Sequence, residues 1–256
     1  MPVLENRVDP ASAAYRTNYE ASLEQLAGLE EQLALSREGG GARYVERHRA
    51  RGKLLARERI ELLLDCDAPF LELSPLAAWG TEYAVGGSVV TGIGVIEGVE
   101  CVVMANDPTV RGGSINPYTG RRIGRATDIA RANRLPLVYL VESGGADLPT
   151  QAEIFIPGGR HFRDLTQLSA AGCPTVALVF GSSTAGGAYV PGMCDYVVMV
   201  EKRAKVFLGG PPLVKGATGE ESEEEELGGA EMHARVSGLA DYLALDELDC
   251  LRLGRQ

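Results

Sequence analysis

The sequence predicts an α/β fold, and three observations carry that reading. Short apolar runs, Leu137 to Val141, Pro174 to Phe180 and Tyr196 to Val200, alternate with segments of helical pattern. That order suits parallel strands joined by right-handed crossovers. Upstream, Ser88 to Ile96 and Glu100 to Ala105 flank Glu97-Gly98-Val99 and read as an antiparallel hairpin. Finally, Gly-Gly corners follow two of the apolar runs, at Gly144-Gly145 and Gly186-Gly187, at the strand ends where ligands of such sheets sit.

From the N-terminus, residues 12–36 read as a helix, with Tyr15, Leu23, Leu26, Leu29 and Leu33 at helical spacing and Gly39-Gly40-Gly41 ending it. A second helical unit, ARYVERHRARGKLLARERIELLLD, draws its apolar surface from Leu54, Leu55, Ile60, Leu62 and Leu63. Arg47, Arg49, Arg51, Lys53, Arg57 and Arg59 crowd the same unit. In so acidic a chain they suit a phosphate-bearing ligand or an acidic partner, or a solvated helix with local ion pairs. Phe70 to Leu73 reads as a short edge strand, and Asn106-Asp107-Pro108 stops the hairpin.

After the loop GGSINPYTG, Thr119 to Arg134 is a helix carrying Arg121, Arg122, Arg125, Arg131 and Arg134. ESGGADLP follows the first apolar run, Arg160 to Ala171 reads as helix, and the second run leads through SSTAGGAY into helix-compatible residues 184–192. Lys205 to Leu208 is a further strand. Glu220, Glu221, Glu223, Glu224, Glu225 and Glu226 repel one another and must be exposed. Gly228-Gly229 precede a helix beginning near Ala230, and DYLALDELDCLRLGRQ reads as helix or fray.

Composition narrows the function. A chain of 256 residues, 45% hydrophobic and 23% charged, builds one large globular domain or two small ones. Its net charge of -10 argues against nucleic acid as a partner. The five cysteines, Cys66, Cys101, Cys173, Cys194 and Cys250, show neither CxxC nor metal spacing and suit reduced thiols in the cytoplasm. The three histidines, His48, His161 and His233, are too scattered for a zinc site, so no metal is expected. MPVLENRVDP lacks a basic-then-apolar signal segment and no apolar run reaches membrane-span length; the expectation is a cytoplasmic protein without a membrane partner.

Familiar catalytic motifs are missing. No GxGxxG follows a strand, GGPPLVK is not a Walker loop, and GSSTAG lacks the glycine that a GxSxG nucleophile elbow needs. What remains is the backbone. Of the 32 glycines many lie in pairs, and so many permissive corners point to a protein that binds with its main chain. Gly144, Gly145 and Ala146 offer one set of N–H donors, and Ala185, Gly186 and Gly187 another. Helix-start amides lack internal partners and can face a developing negative charge, such as a thioester enolate oxygen. The alternative for the same small residues is close packing of a helix on a sheet. Tyr189 contacts a ligand or packs, and His233 reads as a partly buried structural histidine.

Collinear blocks of the chain resemble a known family. ERHRARGKLLARERIELLLD, GGSVVTGIGVIEGVECVVMANDPTVRGGSINP, LPLVYLVESGGADLP, GSSTAGGAYVPGMCD, FLGGPPLVKGATGEE and LGGAEMHARVSGLADYLALDE are similar to the N-terminal half of the carboxyltransferase (beta) subunit of biotin-dependent acyl-CoA carboxylases. The likeness is greatest to the methylcrotonyl-CoA branch, with propionyl-CoA and geranyl-CoA carboxylases as relatives. The resemblance implies a crotonase-like spiral of ββα units with N-terminal helices. It divides the chain into a helical segment over 1–66 and an acyl-CoA carboxyltransferase N-terminal domain over 67–256.

The implied reaction moves a carboxyl group from carboxybiotin, held by a partner's carrier domain, to the alpha or vinylogous gamma carbon of an acyl-CoA such as 3-methylcrotonyl-CoA or propionyl-CoA. Backbone pairs matching Gly144, Gly145, Ala146 and Ala185, Gly186, Gly187 hold the thioester and biotin ureido oxygens. The resemblance sets Arg121, Arg122 and Arg125 near the CoA phosphates. Its implied partners are the biotin carboxylase and carrier (alpha) subunit and further carboxyltransferase subunits, in a homo-hexamer or an alpha6beta6 complex. Family chains also carry a second crotonase-like half as the other wall of the site, so this chain alone is expected to be inactive in full transfer. The readings standing against carboxylation are a biotin-dependent decarboxylase subunit and a non-catalytic CoA-binding or assembly module.

Overall fold

The computed structural model describes residues 5–256; residues 1–4, the start of MPVLENRVDP and of the expected helical segment, lie outside the described residues. Helix α1 (Ala13–Glu38) starts where the Ser12 side chain accepts the Tyr15 N–H at 3.2 Å and stops at Gly39. Its spacing gave the helix but not a packing partner: Tyr15, Tyr19, Leu23 and Leu26 are exposed, and Ser36 is the buried residue along it. The basic unit that follows is two helices, α2 (Ala42–Arg49) and α3 (Ala56–Leu63). They are parted by a turn in which Gly52 has a φ of 67°. Ala56, Arg59, Ile60 and Leu63 form the buried stripe of α3, at the three-and-four spacing of a core-facing helix.

Among the described residues eight strands make one sheet. Strand β1 (Leu71–Glu72) is the short edge that Phe70 to Leu73 foretold, antiparallel to β2 (Val89–Ile96). The hairpin to β3 (Val99–Asn106) turns at Glu97 and Gly98, both with positive φ, as a two-residue turn between twisted strands requires. Helix α4 (Pro117–Asn133) then crosses to β4 (Leu137–Ser143), α5 (Gln151–Ala170) to β5 (Thr175–Thr184), and α6 (Tyr189–Met193) to β6 (Tyr196–Val200). After β7 (Lys205–Phe207) come α7 (Pro211–Thr218), α8 (Glu224–Gly228), α9 (Ala230–Met232), β8 (Tyr242–Ala244) and α10 (Glu247–Arg255). From β3 through β4, β5 and β6 to β8 the pairing is parallel. Helices α4 and α5 cover one face and α3 and α10 the other, so β4, buried along its whole length, reads as an unbroken apolar run.

Three expectations need correction. Helix α5 begins at Gln151, well before Arg160, and runs through Pro157. Pro157-Gly158-Gly159 look like a breaker in one dimension, yet Ile154, Leu165 and Leu168 bury on the sheet and hold the helix together. Strand β5 does not stop at Phe180: Ser182, Ser183 and Thr184 pair with Lys205, Val206 and Phe207 of β7. Of the helix or fray expected in the final stretch, the helix holds over Glu247–Arg255, where Asp246 caps α10 by accepting the Asp249 N–H at 2.8 Å, but the stretch opens with a strand, Tyr242–Ala244 pairing with Val198–Val200. Among the described residues no helix is long and apolar enough to cross a membrane.

Candidate functional site

Both glycine corners lie at the C-terminal ends of central parallel strands, and they touch. The first follows β4. There Gly144 N–H donates to Gly112 O at 2.9 Å and Gly145 N–H to Ser143 Oγ at 3.1 Å, while Ser143 Oγ donates to Gly113 O at 2.9 Å. Two of the three amides expected as ligand donors are therefore used inside the protein. The Ala146 N–H has no acceptor among the described residues, and Ala146 is half-buried. Gly145 has a φ of +83°, and a Cβ there would lie 2.7 Å from Thr184 O and 3.2 Å from Ala185 Cβ. Only glycine lets the first corner lie against the second.

The second corner is a 3₁₀ turn over Ala185–Ala188 at the end of β5. Ala185 has a φ of 50°, a left-handed conformation costly for a residue with a Cβ and typical of places where structure over-determines the backbone. Gly186 lies in the first turn, where amides lack an intrahelical acceptor, and a Cβ added to it meets nothing within 4 Å. Gly187 is buried against Ser143 and Ser183. Tyr189, 43% exposed, packs against Phe162 with ring centroids 4.7 Å apart and planes tilted by 40°, so packing is one thing it does. His233 is buried, its ring nitrogens 2.7 Å from Ser237 Oγ and 2.8 Å from Val206 O.

A cleft of about 450 Å³ opens beside the first corner, over Gly112, Gly144 and Thr184. His48, Arg51, Lys53, Lys202, Arg203 and Lys205 line it, opposed by the single carboxylate Glu142. The basic segment of α2 and α3 thus does reach a site, though divided. Arg51 faces the opening; Arg49 pairs with Glu58 at 2.6 Å, and Arg57 with Glu72 at 2.6 Å. Another hollow, about 470 Å³, sits between α7 and α8, but Glu221, Glu223 and Glu226 wall it and neither corner reaches it. An acidic wall repels phosphate, so the basic cleft is the candidate.

Under the cleft lies a buried ion network. Glu142 accepts a hydrogen bond from Lys53 Nζ, and Arg59 Nη2 stands 2.9 Å from Glu142 Oε2, an ion-pair contact without hydrogen-bond alignment. Arg59 Nε and Nη2 donate to Glu247 Oε2 and Oε1 at 2.9 and 3.0 Å, and the guanidinium covers the Phe180 ring at 4.4 Å. Burial pushes the Glu142 carboxyl up, but the charges of Arg59 and Lys53 and the Lys53 hydrogen bond outweigh it and hold the group below the ordinary carboxylate value. His48 goes the same way for another reason: burial disfavours its charged form, and Glu142 only partly offsets this.

Arg122 is a correction. It is 3% exposed and donates to Leu73 O at 2.9 Å, Thr91 Oγ1 at 3.2 Å, Gly86 O at 2.7 Å and Glu72 Oε1 at 2.7 Å. Buried and tied through all three nitrogens to oxygens of the fold, its guanidinium is closed off from a phosphate. Arg121, over the Tyr118 ring at 5.2 Å, and Arg125 are exposed on α4, and neither lines the cleft. Lys202, Arg203 and Lys205 escaped the sequence reading; the signal was a run of cations, EKRAK, straight after an apolar strand. Among the described residues no three His, Cys, Asp or Glu side chains gather as a metal site.

Comparison with known proteins agrees on one family. The profile of the carboxyl transferase domain matches residues 47–256. The chain is 65% identical over 254 residues to the probable biotin-dependent acyl-coenzyme A carboxylase beta2 subunit of Mycobacterium tuberculosis, covering 99% of this chain and 48% of that protein. It is 50% identical to the probable methylcrotonoyl-CoA carboxylase beta chain, mitochondrial, of Drosophila melanogaster, over 99% of this chain and 45% of the relative. The crystal structure of the geranyl-CoA carboxylase beta subunit of P. aeruginosa superposes with a TM-score of 0.91 at 46% identity, over 99% of this chain and 48% of that one. The crotonase-like α/β fold with N-terminal helices is borne out. The chain spans about half the length of the relatives it matches.

Proposed function

The chain belongs to the carboxyl transferase domain family, and from that premise we propose that it forms the acyl-CoA-binding half of a carboxyltransferase in a biotin-dependent acyl-CoA carboxylase. Its substrate is a branched or short acyl-CoA, 3-methylcrotonyl-CoA before propionyl-CoA. The observation that carries this reading is a basic cleft lined by Gly144 of the first glycine corner and by Thr184, which leads into the second, the two corners touching at Gly145. Arg51, Lys202 and Arg203 hold the phosphates of CoA and steer the anion in. As the carbon alpha or gamma to the thioester loses its proton, the thioester oxygen gains charge, and a main-chain N–H stabilises it without reorganising. One such donor contributes about 3–4 kcal/mol of barrier lowering.

Ala146, with its unaccepted N–H, and Gly186, at the open mouth of the second corner, are the donors we assign. Between them the corners hold the thioester oxygen and the ureido oxygen of biotin, and carboxybiotin supplies the carboxyl group. Gly144 and Gly145 shape the first corner; Ala185 and Gly187 shape the second. Tyr189, just past the second corner on α6, flanks the acyl-CoA, while Arg121 and Arg125, exposed on α4 outside the cleft, add only to the positive field that draws the anion in. The biotin is carried by a biotin carboxylase and carrier (alpha) subunit, and further carboxyltransferase subunits complete a hexameric core in the cytoplasm. Within the chain, 1–66 form the helical segment and 67–256 the transferase domain.

Calorimetric titration of the chain with 3-methylcrotonyl-CoA, propionyl-CoA and CoA tests this. All three bind, at least tenfold more weakly at ~0.5 M salt than at ~0.05 M, because phosphate pairing is screened. Absence of binding, or binding indifferent to salt, contradicts the reading.

A further inference from the structure

We propose that Glu142, clamped by Lys53 and Arg59, is the positioning residue of the first corner, and that its buried network keeps the Ala146 N–H aimed at the reacting oxygen. The inference rests on the functional reading above for its catalytic part alone. Glu142 is the last residue but one of β4 and directly precedes Ser143-Gly144-Gly145-Ala146. Its carboxylate meets Lys53 Nζ and Arg59 Nη2, its N–H donates to Asn106 Oδ1 at 3.2 Å, and Arg59 carries the tie on to Glu247 at the start of α10. The helix before the sheet and the helix after it therefore grip one point of β4, immediately ahead of the corner.

The sheet is built around this clamp. Register between β4 and β5 shifts there, Val141 pairing with Val179 but Ser143 with Ser183. Bulges re-aim the residues beside them. Gly181 stands in the shifted segment, and a Cβ on it would lie 2.6 Å from Glu142 Cδ and 2.7 Å from Lys53 Nζ. The missing side chain makes room for the ion pair. A charged pair this buried holds the fold no better than apolar side chains of the same shape, and its best-attested use is to fix an arrangement.

The test compares Glu142→Gln with Glu72→Gln, which breaks the like-for-like buried pair of Arg122 at the β1 edge. Hydrogen exchange of this chain reads the corner directly. In E142Q the Gly144 and Gly145 amides exchange about tenfold faster, and in E72Q they stay within about twofold of wild type. In the assembled carboxylase E142Q lowers kcat about tenfold or more with KM for acyl-CoA nearly unchanged, while E72Q lowers Tm without that kcat loss. Gly181→Ala, which displaces the pair without removing a charge, repeats the E142Q result and serves in its place should E142Q not fold. Unchanged corner exchange in a folded E142Q or G181A, or equal exchange changes in E72Q, overturns the proposal. If wild-type enzyme carboxylates no acyl-CoA, the functional reading falls while the exchange result still decides the positioning.

Discussion

The two glycine corners share a composition and a strand end, yet they are held in opposite ways. The first is tied down everywhere but at Ala146: Gly144 and Gly145 spend their amides on Gly112 O and Ser143 Oγ, and Ile115 N–H closes on Gly145 O at 2.7 Å. The second is strained and open, with Ala185 at a φ of 50° and free space beyond Gly186. Internal hydrogen bonds fix the one; the fold around it forces the other. Glycine in the first corner answers a structural need and in the second keeps the mouth clear, so substitutions should separate the two.

The sharpest break is Gly186→Val. Its Cβ meets nothing within 4 Å, so Tm holds, but the branched side chain fills the mouth and keeps the oxygen from the N–H at 186; acyl transfer by the assembled enzyme falls about 10²–10³-fold in steady-state assays. Gly145→Ala does the reverse. A Cβ 2.7 Å from Thr184 O at a φ of +83° costs about 3 kcal/mol in urea unfolding.

Acid should loosen the second corner's side. His161 on α5 has both ring nitrogens buried without a partner and lies edge-on to Tyr139, next to the Phe162 that packs against Tyr189. Burial lowers its pKa from 6.5 to about 4. The unfolded chain therefore binds the proton first. Stability is full above about pH 6.5, declines as pH falls, and has lost up to ~3 kcal/mol by about pH 4. Unfolding titrations of His161→Phe should lack that step.

Two smaller effects complete the contrast. Ser143→Ala orphans the Gly145 N–H and should cost about 2 kcal/mol. Ala185→Gly relieves a positive φ but frees the unfolded chain, leaving a net gain of roughly 0.5 kcal/mol by thermal unfolding.

The apolar runs at 137, 174 and 196 were legible because a buried parallel strand needs no partner to look like one. Strand β8 was not, since Tyr242–Ala244 is defined by pairing with β6, far off in sequence. In the site, the corners were legible because these two glycine pairs each follow an apolar strand run. The role of Arg122 was legible too, had the face been read: Thr119, Arg122, Ile123, Ala126, Thr127 and Ala130 share one buried stripe. A cation on such a stripe must have its partners inside. Arg59, beside Ala56, Ile60 and Leu63, repeats the lesson.

The central claim is that Ala146 and Gly186 offer their amides to the substrate while Gly144 and Gly145 do not. Amide NMR of this chain during titration with 3-methylcrotonyl-CoA tests it directly. Downfield shifts are expected at one or both of Ala146 and Gly186, with Gly144 and Gly145 moving less. Saturable binding that leaves Ala146 and Gly186 unmoved would contradict it.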